Sequence, residues 1–125
     1  MVDSLTLTTT RNQTMANALD NLLDALEDVD DATREEAAKA LAELANPATL
    51  DALIGACGDE FWSVRTRAGW GVAKIGGPKA IEALIVLFND PIMEVRNEAV
   101  AAVVSLGAGQ LDRLLAAMKD ERWRV

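Results

Sequence analysis

Shifted by thirty-one residues, this chain lies over itself. Asp28, Asp59 and Asp90 coincide, as do Arg34, Arg65 and Arg96, then Ala37, Ala68 and Ala99, and then Leu41, Val72 and Val103. Leu44, Ile75 and Leu106 follow in the same register, and the second half of each unit keeps step: Pro47 on Pro78, Leu50 on Ile81, Leu53 on Leu84, Cys57 on Phe88. A fixed period of this length specifies stacked units, none of which can bury its apolar face alone. Stacks of this kind work through extended surfaces, so function is sought on faces of the molecule.

Run backwards, the repeat places Leu19, Leu22, Leu23 and Leu26 on Leu50, Leu53, Ile54 and Cys57, so residues 15–27 form the second half of an earlier unit. Forwards, a step of thirty reaches Asp120, after which Trp123 and Val125 take the places of Trp62 and Val64. The expected organisation is a loose leader over residues 1–13, rich in threonine, followed over 14–125 by a half repeat, three full repeats and the start of a fourth. Such a stack leaves the flank from Leu106 through Leu115 and Met118 without a covering unit, which predicts a homo-oligomer joined through the carboxy-terminal end.

Each unit reads as two helices. Val64, Ala68, Val72 and Ile75 recur at helical spacing, the Gly76-Gly77-Pro78 break follows, and Ile81, Leu84, Ile85 and Phe88 form a second stripe. The alternation that a strand requires is absent. The prediction is an all-α, right-handed α-solenoid of seven helices. Its outer helices carry Arg34, Arg65 and Arg96, and its inner helices carry Leu53, Leu84 and Leu114. Asp90 before Pro91 fits a helix N-cap, and Gly76 and Gly107 fit the left-handed position that ends a helix.

The Asp-Arg series is expected to be structural, because a catalytic group would distinguish one unit from the rest. Asp28, Asp59 and Asp90 can accept backbone N–H bonds where helices begin, and each arginine is within reach of an aspartate of its own or the adjacent unit. Histidine is absent, which removes His-dependent triads, Cys-His nucleophiles and histidine-ligated metals; the one cysteine cannot form an internal disulfide. Cys57 falls on a core stripe and reads as a small buried hydrophobe. No self-contained catalytic site and no metal site emerge. No secretory pattern or long apolar run appears, so a cytoplasmic setting is the default and membrane insertion is not expected. Residues 1–60 hold thirteen acidic against three basic residues, which argues against nucleic acid as a partner.

Two surfaces stand out. Trp70 aligns with Lys39 and Ala101, lies off the core stripe, is flanked by Gly69 and Gly71, and has Arg67 nearby. It is either an open aromatic face or a lid over the gap left by the glycines. On the inner helices, Ala52, Ala83 and Arg113, then Gly55, Val86 and Ala116, then Ala56, Leu87 and Ala117 form rows of small or apolar residues, which suit a partner helix or close helix packing.

The run Asp59-Glu60-Phe61-Trp62-Ser63-Val64-Arg65, the turn Ile75-Gly76-Gly77-Pro78 and the run Asp90-Pro91-Ile92-Met93-Glu94-Val95-Arg96 resemble HEAT repeats, and most closely the short type found in phycobilin lyases. Trp62 and Trp123 sit where such repeats often carry tryptophan. The resemblance implies an interaction scaffold. In its finer form it implies a subunit that assists bilin attachment or turnover, with a transient phycobilin as ligand, a phycobiliprotein or second lyase subunit as partner, and Trp70, Arg67 and Trp62 with Val86, Leu87 and Ala116 as contact residues. The alternative is an adaptor that binds a partner helix in its groove. Deoxyhypusine hydroxylase has similar repeats, but its His-Glu iron motifs have no counterpart here.

Overall fold

The computed structural model describes residues 18–105. Helix α1 covers residues 18–25, α2 runs Asp31–Leu44, α3 Leu50–Ala56, α4 Trp62–Ile75, α5 Pro78–Phe88 and α6 Met93–Ser105. There is no strand among the described residues. Helices α2, α4 and α6 pack side by side as one layer, and α3 and α5 pack beneath α4 as a second. This is an α-solenoid. Leu19, Leu22, Leu23 and Leu26, in and just after α1, pack against the same core, as their place in the half repeat requires. The expectations for the leader over 1–13, and for Gly107, Leu114, Ala116, Ala117, the carboxy-terminal flank, Trp123 and Val125, fall outside the described residues.

The core follows from the spacing. Val64, Ala68 and Val72 lie one helical turn apart on α4 and are fully buried, as are Leu41 on α2, Leu53 on α3 and Val95 on α6. Helix α4 has neighbours in both layers, so it buries more than one stripe: Gly69, Gly71 and Ala73 are buried as well. Two of these are glycines because something occupies the space of a side chain. A Cβ on Gly69 would stand 2.8 Å from Leu87 Cδ1, and one on Gly71 would stand 2.9 Å from Leu53 Cδ1 and 3.2 Å from Ala42 Cα. Leu87 therefore reaches into the hole left by Gly69 and is buried. That corrects its assignment to a partner groove: Leu87 belongs to the core, as does Ala56 in the same row.

The aspartates of the repeat do not cap the helices directly. Helix α6 begins at Met93 and α4 at Trp62 with Phe61 at its N-cap, so Asp90 and Asp59 stand three residues before the first helical turn. Each accepts the N–H two residues on instead: Asp28 from Asp30 (2.9 Å), Asp59 from Phe61 (2.8 Å) and Asp90 from Ile92 (2.9 Å). These are Asx turns, which satisfy a loop N–H before the helix begins. The true cap of α2 is Asp30, which accepts from the N–H and hydroxyl of Thr33.

The units also differ where α2 and α4 end. Gly76 follows α4 with a φ of 78° but a ψ of −171°, so it is not the left-handed helical cap that the sequence suggests, whereas the equivalent position after α2, Ala45, adopts that conformation with φ 48° and ψ 40°. A Cβ is disfavoured in this left-handed region, so Ala45→Gly is expected to raise stability by about 0.5–1 kcal/mol, net of the greater freedom glycine gives the unfolded chain. An unchanged or lower urea midpoint contradicts this. Beyond Ala45, Asn46-Pro47-Ala48-Thr49 folds as a short 3-10 turn, with Asn46 Oδ1 accepting from Ala48 N–H, so α3 is shorter than α5 although the two share a repeat position.

Candidate functional site

The Asp-Arg series forms a bridge from each unit to the next. Arg34 Nε donates to Asp59 Oδ2 at 2.9 Å while its Nη1 donates to the carbonyl of Asp28 at 2.7 Å. Arg65 repeats the pattern on Asp90, at 2.8 and 3.1 Å from Nε and Nη2, and on the Asp59 carbonyl at 2.7 Å. Arg34 also meets Asp31, and Arg96 Nη1 donates to the Asp90 carbonyl. Arg34 and Arg65 thus each fix their own unit's loop and clamp the carboxylate of the following one. Asp28 has no arginine on its carboxylate among the described residues.

The pairs are nearly dry, which decides what they do. The Arg65 and Asp90 side chains are 12 % and 7 % exposed. Burial alone raises the Asp90 pKa, but the hydrogen bonds from Arg65 and the Ile92 N–H outweigh it and hold the carboxyl below its ordinary value. The Asp59 hydrogen bond likewise raises the Arg34 guanidinium. For Asp90 the folded pKa is lower than the unfolded one, so its contribution to stability is complete above about pH 4 and is lost as pH falls through the folded value. Urea titrations at neutral and acid pH should show that loss, and Arg65→Met should reduce it; an unchanged acid limb in that variant would sink the assignment.

Cys57 is buried, and desolvation pushes its thiol up to about 12. Burial disfavours its thiolate at neutral pH. A disulfide reagent at about pH 8 should leave folded protein unmodified and react at once after unfolding; rapid reaction of the native state would contradict the burial.

Two surfaces remain. On the α4–α6 side, Trp62, Thr66 and Trp70 stand at every fourth position of α4, facing Glu94 and Glu98 of α6 across a depression of about 290 Å³. Trp70 is half-buried and its indole N–H donates to Glu98 Oε2 at 3.0 Å. It is neither a lid over its flanking glycines, whose spaces Leu87 and Leu53 fill, nor a free aromatic face. Arg67 lines the same depression, and its Nε lies 3.5 Å from Glu35 Oε1 of α2. The structure thus brings Trp62, Arg67 and Trp70 together and adds Glu94 and Glu98.

On the α3–α5 side, Val86 is 66 % exposed, although the remaining apolar positions of α5 are largely buried. Its repeat equivalent, Gly55, meets nothing within 4 Å of an added Cβ and has no positive φ, so neither packing nor backbone geometry calls for glycine there. Around them lie two clefts: about 600 Å³ floored by Leu23, Leu26 and Ala52 with Asp24 and Glu27 at its edge, and about 440 Å³ bounded by Ile54, Ala83 and Val86. Asp51 lines both and pairs with Lys79 at 3.3 Å, an exposed contact.

A family model for HEAT repeats matches residues 6–62, 19–104 and 56–125. The chain belongs to the HEAT-repeat family. A comparison with curated proteins finds no match. For a HEAT-repeat protein the two layers, the helix pairs and the absence of strands among the described residues are the expected architecture, and the family gives it the role of a helical scaffold for protein partners. No helix among the described residues is long and apolar enough to cross a membrane, and no group of three or more metal-binding side chains occurs among them. The Trp70–Glu98 bond escaped sequence reasoning, yet its spacing of twenty-eight is one repeat less one near-turn.

Proposed function

We propose that this HEAT-repeat protein is an adaptor that takes an amphipathic helix of a partner protein on the α3–α5 layer. The observation that carries it is Val86, a large apolar side chain left open in the last turn of α5 while its apolar neighbours Ile85 and Leu87 are buried. A strip formed by Val86 and the open Gly55, with one cleft between α3 and α5 and another between α1 and α3, matches helix-in-groove recognition. Asp24 and Glu27, which line the cleft beside α3, favour a basic flank on the incoming helix. Gly55 fits the same picture, since an open glycine lets a partner backbone approach closely at the cost of helix propensity.

The finer reading, a phycobilin-lyase-like helper, asks the α4–α6 depression to hold a flat dianionic pigment. Trp62, Arg67 and Trp70 on one surface speak for it. Glu94 and Glu98 oppose an acidic ligand, and Arg67 already has Glu35. The adaptor reading meets no such electrostatic cost. A photo-crosslinking residue placed at Val86 in the producing cells should capture one discrete protein, whose binding Val86→Asp abolishes and Trp70→Ala preserves. Equal capture from Val100 on α6, or binding that depends on Trp70 alone, would overturn it.

A further inference from the structure

The α4–α6 depression has a charge and a shape that its place in the repeat does not require. In the preceding unit the position of Trp70 is Lys39 and that of Trp62 is Asp31, so two indoles appear on one helix only. Trp62 is 40 % exposed, and Trp70 is held by its bond to Glu98, which orients both the ring and the carboxylate. Glu94 lies one helical turn away from Glu98, is exposed, and has no hydrogen-bond or ion-pair partner among the described residues. Thr66 donates its hydroxyl to the Ser63 carbonyl at 2.8 Å. The one cation of the wall, Arg67, is matched by Glu35, which lies outside the depression. What is left is two carboxylates beside two indoles, an arrangement that attracts a cation with a flat, weakly hydrated body.

From this we infer that the depression between α4 and α6 binds an arginine side chain presented by an extended segment of a protein partner. A guanidinium stacks on an indole face and gives paired N–H donors to a carboxylate, whereas the compact, strongly hydrated ammonium of lysine does only the second. The site is separate from the α3–α5 strip and stands whether or not that strip binds a helix.

The probe is a blocked Gly-Arg-Gly peptide, with its citrulline counterpart as a neutral isostere. The readout is the indole N–H resonances of Trp62 and Trp70 in ¹⁵N-labelled protein. The arginine peptide should shift both resonances saturably, and citrulline should bind about tenfold more weakly or worse. Glu94→Gln should lower affinity by about the same factor, while Asp51→Asn, an equal change of charge on the other layer, should leave it within about twofold. A peptide that produces no saturable shift, a citrulline peptide that binds equally, or an Asp51→Asn variant as impaired as Glu94→Gln each overturns the assignment.

Discussion

Arg65→Met is expected to destabilise the protein by about 3–5 kcal/mol, because it leaves Asp90 buried without its partner. Asp90 keeps the Ile92 N–H but loses both guanidinium bonds, and the Asp59 loop loses the donor on its carbonyl. The second half of the argument is the rescue. Arg65→Met combined with Asp90→Asn retains an acceptor for Ile92 and removes the stranded charge, so the double variant should recover more than half of the loss. Lys79→Ala, which breaks only the exposed pair with Asp51, should change stability by about 0.5 kcal/mol or less. Urea unfolding of the four proteins decides it. Arg65→Met within error of Lys79→Ala would show that the bridge between units is ornamental.

Leu53→Ala is expected to cost about 2–5 kcal/mol, since Leu53 is fully buried and its Cδ1 occupies the space a Gly71 side chain would take. The two positions should be strongly coupled. Gly71→Ala alone drives a methyl against Leu53 and within 3.2 Å of the Ala42 backbone, and the second contact cannot yield by a rotamer change. In the double variant the new methyl partly fills the cavity left by Leu53, so the sum of single effects should exceed the measured loss by about 0.5–3 kcal/mol. Simple additivity would mean that α3 and α4 do not meet at Gly71 as described.

Much of this is legible in the amino-acid sequence. The period of thirty-one, with helical stripes inside it, yields the layers, the core and an aspartate within reach of each arginine in its own or an adjacent unit; the structure shows that Arg34 and Arg65 take the next unit's, twenty-five positions on. Three things were harder to read. Asp90-Pro91 resembles a cap with proline at the first helical turn, but the carboxylate is committed to the Ile92 N–H and to Arg65, and the helix starts later. Leu87 lies off the main stripe of its helix, and only the hole at Gly69 draws it inside. The acidity of the tryptophan depression depends on Glu94 and Glu98, which come from the next unit and take their place through the stacking. The partner's identity leaves no trace in the repeat, because the period encodes packing between units and the binding residues are the departures from it.

Those departures are acidic on both layers, and the claim that they serve proteins, not a pigment, has a direct test. Purified protein titrated with phycocyanobilin should leave the pigment's visible absorption unchanged and its own tryptophan emission unquenched beyond the optical correction. A saturable spectral shift of the pigment at one equivalent, weakened by Trp70→Ala or Arg67→Ala, would contradict the adaptor account and establish the lyase-like one.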